Sequence, residues 1–163
     1  MAAYLVRHAS AGVRGLSDPQ DLQRPLDEFG KAQARAIADA LSDHSPVRLL
    51  SSAAVRCSQT LAPLGAVTGL TVEHHDALME GSRPVDVVEL LRDLTAAGGD
   101  VVLCSHGDVI PPAIETLLGE GMVLIGGRGC EKGSIWELEA RGRDYVAGRY
   151  RAAADVSRDL AAS

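Results

Sequence analysis

Short apolar runs alternate with longer stretches of helical periodicity along most of this chain, and that alternation restricts it to a sheet with helices packed on its faces. Ala3–Arg7 (AYLVR), Val47–Leu50 (VRLL), Thr71–His74 and Asp100–Cys104 (DVVLC) read as strands. Asp27–Leu41 places Phe29, Ala34, Ile37, Ala38 and Leu41 at helical spacing, and its many alanines favour a helix. Ala53–Val67 reads as a second helix, preceded by the good N-cap types Ser51 and Ser52. Asp86–Ala97 is amphipathic and is closed by Gly98-Gly99, while Ile110–Leu118 is a helix whose first turn tolerates Pro111 and Pro112. Ala11–Arg24 and the glycine-rich Gly119–Gly133 are expected to be irregular. Ser134–Glu139 and Asp144–Tyr150 alternate as a late strand pair, and Ala152–Ser163 reads as a frayed helical tail. The pattern predicts an α/β fold whose mostly parallel sheet is covered on both faces.

With 163 residues the chain fits one domain, taken as residues 1–163. Its 46% hydrophobic and 23% charged residues give an ordinary globular balance, but only 3% are aromatic, so the core must be aliphatic. So few aromatic rings disfavour a single-strand binder that stacks bases, and a net charge of −6 disfavours nucleic acid and anionic membrane as partners. No apolar run approaches the roughly 20 residues of a membrane span, and the N-terminus lacks the parts of a signal peptide. Cys57, Cys104 and Cys130 are odd in number and far apart, which fits reduced thiols and a cytoplasmic location. The oligomeric state is left open.

In parallel α/β sheets ligands bind beyond the carboxyl ends of the strands. That rule singles out Arg7-His8 after the first strand and Ser105-His106-Gly107 after the fourth. A neutral imidazole is nucleophilic enough to attack phosphorus, and a forked guanidinium beside it holds two phosphate oxygens. Arg56 lies near the start of a helix, which itself favours anions. His106 supplies a further donor, and Glu80 in Leu78-Met79-Glu80-Gly81 is a candidate acid for the leaving group. Two arginines and a second histidine suffice for phosphoryl transfer without a metal or cofactor.

These residues occur in segments that resemble the histidine phosphatase superfamily, the group of cofactor-dependent phosphoglycerate mutases and SixA-type phosphohistidine phosphatases. The segments are LVRHA (Leu5–Ala9), DLQRPLDEFGKAQA (Asp21–Ala34), SSAAVRCSQTLAPL (Ser51–Leu64), ALMEG (Ala77–Gly81) and CSHGDVI (Cys104–Ile110). The resemblance implies a three-layer α/β/α sandwich, a nucleophile at His8, a phosphate pocket of Arg7, Arg56 and His106, and a proton donor at Glu80. It also places Arg24 near the pocket mouth. Ala9 stands where RHG-type motifs carry glycine, as in the SixA-like branch, and Ala11 and Arg14 stand where mutases carry serine and asparagine. Those departures, with the lack of long insertions, favour a phosphatase over a mutase. VRCSQTLAPL, CSHGDVIPPAI and EKGSIWEL (Glu131–Leu138) further resemble the phosphatase domain of some actinobacterial Nudix hydrolases, which implies a nucleotide-type substrate with Lys132 and Ser134 at the pocket rim.

Gly127–Ser134 is no phosphate-binding loop, because its lysine precedes glycine and a strand-like run follows. His74, His75 and Asp76 beside His106 and Asp108 suggest a metal, but adjacent strand histidines point to opposite faces. Cys104 reads as a buried strand residue. The expected activity is thus a metal-independent phosphohydrolase acting on a phosphoprotein (phosphohistidine) or a small phosphorylated metabolite. Nucleoside polyphosphate hydrolysis, a phosphoglycerate mutase and a non-catalytic phosphate-binding module are the alternatives. Phosphate release is expected to be unchanged in EDTA; chelator-sensitive release restored by a divalent ion would contradict the metal-free pocket.

Overall fold

The computed structural model describes residues 1–15 and 18–161. Parts of the irregular segment 11–24 and of the tail 152–163, namely residues 16–17 and 162–163, lie outside the described residues. The strands are β1 (Ala2–Arg7), β2 (Arg48–Ser51), β3 (Val72–His74), β4 (Val101–Ser105), β5 (Val123–Ile125), β6 (Ile135–Arg141) and β7 (Asp144–Arg151). The helices are α1 (Glu28–Ser42), α2 (Val55–Thr68), α3 (Pro84–Ala97), α4 (Ile110–Gly119) and α5 (Ala153–Ala161), with a 3-10 turn at Asp76–Leu78. One sheet runs in the order β3-β2-β4-β1-β6-β7-β5. β1–β4, β2–β4, β2–β3 and β5–β7 pair in parallel, whereas β6 is antiparallel to both β1 and β7.

Alternation along the central strands builds the three layers. Ala3 and Leu5 of β1, with Val101 and Leu103 of β4, face a core closed by Val87, Leu91 and Leu94 of α3 and Ile114 and Leu117 of α4. Tyr4 and Val6, with Val102 and Cys104, face the opposite core with Ile37 and Leu41 of α1, Leu61 and Leu64 of α2, and Val156 of α5. The mostly parallel, doubly covered sheet predicted from the sequence is the observed one.

Two local readings need correction. Val123–Ile125 falls inside the segment expected to be irregular, yet it forms an edge strand through pairing with Ala147–Arg149. Three residues between glycines carry no period of their own, so tertiary pairing decides the conformation. Ser51 and Ser52 also do not cap α2: the cap position is Ala54, with no side-chain bond, and both serines are buried at the end of β2.

Helix α1 has an explicit start. The Asp27 carboxylate accepts from the Gly30 N–H at 2.7 Å, as an N-cap should. Gly30 lies so close to the loop after β1 that a Cβ there would sit 1.9 Å from the Ser10 carbonyl oxygen. Gly30→Ala is therefore expected to destabilise the fold by about 1–3 kcal/mol through overpacking. A urea midpoint equal to that of the unaltered chain would show that the Ser10 loop yields freely.

Candidate active site

Strand register assembles the site. Arg7 of β1 is paired with Ser105 of β4, and Ser51 of β2 with Cys104, so residues 7–8, 105–107 and 51–52 reach one edge of the sheet together. Arg56 joins them from the first turn of α2, and Glu80 from the turn after Asp76–Leu78. The five residues singled out in the sequence are thus brought together.

His8 is 4% exposed. Its Nδ1 lies 2.9 Å from the Ala9 carbonyl oxygen, which can only accept, so Nδ1 carries the hydrogen. Nε2 then keeps its lone pair, and it accepts from Nε of Arg56 at 3.3 Å. Burial, followed by the charges of Arg56, His106 and Arg7, lowers the His8 pKa from 6.5 to about 3 against the opposing bond to Ala9. The ring is neutral at neutral pH, with its nucleophilic nitrogen bare.

Arg56 is the hub, with a side chain 1% exposed. Besides His8 it donates to the Asp21 carbonyl through Nη1, and through Nη2 to Glu80 Oε1 at 2.9 Å and His106 Nδ1 at 3.3 Å. Because His106 Nδ1 accepts, its Nε2 donates to Ser52 Oγ at 2.8 Å, and that hydroxyl in turn donates to Met79 Sδ at 3.3 Å. Ser52, first read as a cap, therefore fixes the tautomer of His106. Arg7 gives Nη1 to the Cys130 carbonyl at 2.6 Å, while its buried Nε has no partner among the described residues. An orphaned buried donor is rare. Gly107 is the floor beneath that guanidinium, since a Cβ there would meet Arg7 Cζ at 2.7 Å.

The loop after β1 is clamped from every side. Thr60 Oγ1 accepts from the Ala9 N–H at 3.0 Å, Gln33 Oε1 from the Ser10 N–H at 2.9 Å, and Asp27 Oδ2 from Ser10 Oγ at 2.7 Å. Gln59 Oε1 holds the Leu26 N–H at 2.8 Å, and Asp108 Oδ2 holds the Gly81 N–H at 2.8 Å beside Glu80. Gln59 and Thr60 lie in the matched segment SSAAVRCSQTLAPL, but their roles emerge only from these bonds. Asp21 was likewise missed. Its carboxylate is 3% exposed, its φ is +51°, and it accepts from Arg24 at 3.0 and 2.6 Å while lying 3.6 Å from Arg56 and 3.8 Å from Arg14. The Arg24 bonds first, then the charges of Arg56 and Arg14, hold it below the usual carboxylate range. DLQR gave no hint of this, because a left-handed buried aspartate has no sequence signature.

The expected rim divides. Arg24 and Lys132 line a cavity of about 460 Å³ with Arg7, His8, Arg14 and Glu80. Arg24 nonetheless directs its guanidinium to Asp21 and to the carbonyls of Ala11 and Gly12, so it braces the loop. Ser134 is not at the rim: it is buried, and its hydroxyl donates to the Glu131 carbonyl at 2.6 Å. Its own carbonyl accepts from the Arg7 N–H, which makes it part of the frame behind the pocket. His74 and His75, weighed above for a metal, take separate structural bonds, to Ser58 Oγ at 2.9 Å and to the Ala77 N–H at 3.2 Å. No helix among the described residues is long and apolar enough to cross a membrane.

A family model described as the histidine phosphatase superfamily (branch 1) matches residues 3–84. An 8-oxo-(d)GTP phosphatase of Mycolicibacterium smegmatis is 33% identical over 150 aligned residues, covering 87% of this chain and 47% of that protein. The chain thus spans about half the length of this curated relative. Among solved structures, the protein histidine phosphatase SixA complexed with tungstate matches with a TM-score of 0.69 at 24% identity, covering 93% of this chain and 95% of that one. A mycobacterial glucosyl-3-phosphoglycerate phosphatase with inorganic phosphate matches with a TM-score of 0.66 at 22% identity, covering 92% and 94%. These two likenesses establish a shared fold.

The buried neutral ring has a thermodynamic consequence. An unfolded chain protonates His8 near 6.5, whereas the folded one resists until about 3, so the unfolded state binds more protons in between. Stability is expected to fall as pH drops through that window, by about 2 kcal/mol between pH 6.5 and 5 from His8 alone. Urea midpoints of the unaltered chain and His8→Asn at both pH values check this; equal pH sensitivity in the two would contradict it.

Proposed function

The chain belongs to the histidine phosphatase superfamily, and we propose that it is a metal-independent phosphohydrolase whose covalent intermediate is a phosphohistidine at His8. The observation that carries this reading is the His8 ring itself, neutral, with a bare Nε2 facing Arg56, beside the unpartnered Nε of Arg7. A phosphoryl group seated against Arg7 and Arg56, beside the His106 ring, has its non-bridging oxygens facing guanidinium donors. Nε2 of His8 then forms the bond to phosphorus as the bond to the leaving atom breaks, and the leaving atom takes a proton from Glu80. In the second step water attacks phosphorus, the phosphorus–nitrogen bond breaks, and Glu80 recovers a proton from that water.

Glu80 suits this exchange because it is reachable and conditional. Its side chain is 35% exposed and its carboxylate rests on Arg56. A phosphoryl dianion that takes over the Arg56 donor releases the Glu80 carboxyl to turn toward the leaving atom. Arg14, 3.7 Å from the other Glu80 oxygen, is an exposed cation at the entrance.

Two substrate classes fit, a phosphoprotein or small phosphorylated metabolite and a nucleoside polyphosphate. The second is favoured by the 33% identical relative, an 8-oxo-(d)GTP phosphatase. A phosphate-release screen over phosphohistidine protein, nucleoside di- and triphosphates, sugar phosphates and phosphoglycerates separates them. His8→Ala is expected to lower turnover of the accepted class by more than about 10³-fold. Undiminished turnover in that variant would remove His8 as nucleophile.

A further inference from the structure

A second cavity of about 420 Å³ adjoins the phosphoryl pocket, sharing Arg14 and Glu80 with it. It also reaches Arg56 and His106, so a group leaving phosphorus can enter it directly. Its remaining lining is Pro19, Gln20, Leu22 and Met79. Three of these offer no hydrogen-bonding hydroxyl, amide or charge, so among the described residues of this part of the lining the Gln20 amide is the polar group.

We infer that this lobe holds the leaving group and selects a flat aromatic or heteroaromatic ring over a sugar or a carboxylated triose; the inference rests on the phosphohydrolase reading above. A sugar buries hydroxyls that each need a partner, and the walls of Pro19, Leu22 and Met79 offer none. A glycerate needs a cation for its carboxylate, but Arg14 already faces the carboxylates of Asp21 at 3.8 Å and Glu80 at 3.7 Å. A ring brings apolar faces and a few edge groups, which matches the Pro19, Leu22 and Met79 walls with one amide. Met79 is pinned there, because its sulfur accepts from Ser52 Oγ and from the Ala53 N–H, each at 3.3 Å. Pro19, Gln20 and Leu22 are held by Asp18, whose carboxylate accepts from the N–H groups of Gln20, Leu22 and Gln23 at 3.2, 2.7 and 3.1 Å. Both walls are therefore fixed before a ligand arrives. The volume lies within the roughly 300–1,000 Å³ usual for small-molecule sites.

Phosphonates test this without the differing reactivity of esters. The chain has three methionines, so the ε-methyl resonance of Met79 is readily assigned in a methyl-labelled sample. Phenylphosphonate is expected to shift that resonance by its ring current, and to inhibit with a Ki at least about tenfold below that of methylphosphonate. Gln20→Trp, which fills the lobe, is expected to shrink that Ki ratio about tenfold. Equal Ki values for the two phosphonates, or an unmoved Met79 methyl at saturating phenylphosphonate, would overturn the inference. The spectral measurement uses the unaltered chain, so it stands even if the variant misfolds. If inorganic phosphate and methylphosphonate fail to perturb His8, and no ester is hydrolysed, the phosphohydrolase reading fails instead. Comparing kcat/KM for phosphoimidazole and phenyl phosphate then tells whether a heteroaromatic or a carbocyclic ring is the one received.

Discussion

A guanidinium sealed from water is the constraint on which the rest of this site depends. Removing an unpaired cation from solvent costs many kcal/mol, so Arg56 can be buried only where its donors are met. Nε finds the lone pair of His8, and the two terminal nitrogens find Asp21, Glu80 and His106. Each partner is thereby placed by the same charge. The arrangement fixes the orientation of the nucleophile and keeps it neutral in one stroke, since the cation that holds His8 also opposes its protonation.

That geometry is inherited from the sheet. Because β1 and β4 are neighbours and in register at Arg7 and Ser105, two histidines more than ninety positions apart in the chain arrive with ring centroids 5.4 Å apart. The crossover through β2 and β3 then delivers α2, and with it Arg56, onto the same edge. Side chains from α1 and α2 complete the frame by taking the main-chain N–H groups of Ala9 and Ser10 in the loop after β1, which leaves that loop little freedom to rearrange when an anion enters.

Much of this was legible in the sequence. The strand–helix alternation dictated a doubly covered sheet, and the ends of β1 and β4 marked His8 and His106 because ligands gather at carboxyl ends. What escaped reading depends on long-range geometry. β5 is three residues whose conformation comes from pairing with β7. Asp21 is a surface-type residue in a polar loop, and only the convergence of Arg14, Arg24 and Arg56 makes it a buried anchor. Ser52 satisfies the rule for a helix cap, yet tertiary contact with His106 gives it another task. Ser134 was placed at the rim by likeness of sequence, which does not record on which side of the main chain a hydroxyl falls.

The Asp18 turn carries a consequence of its own. Its three main-chain bonds are local, closing on residues within five positions, whereas the loop bearing His8 is fastened by side chains from two helices. The two segments meet at Asp21, which takes Arg56 on its carbonyl and Arg24 on its carboxylate, while the side chains of Pro19 and Gln20 stand outside that junction. Substitutions at Pro19 or Gln20 can reshape what is admitted without loosening the nucleophile, so selectivity in such a scaffold is free to drift across generations while the reaction itself is held constant.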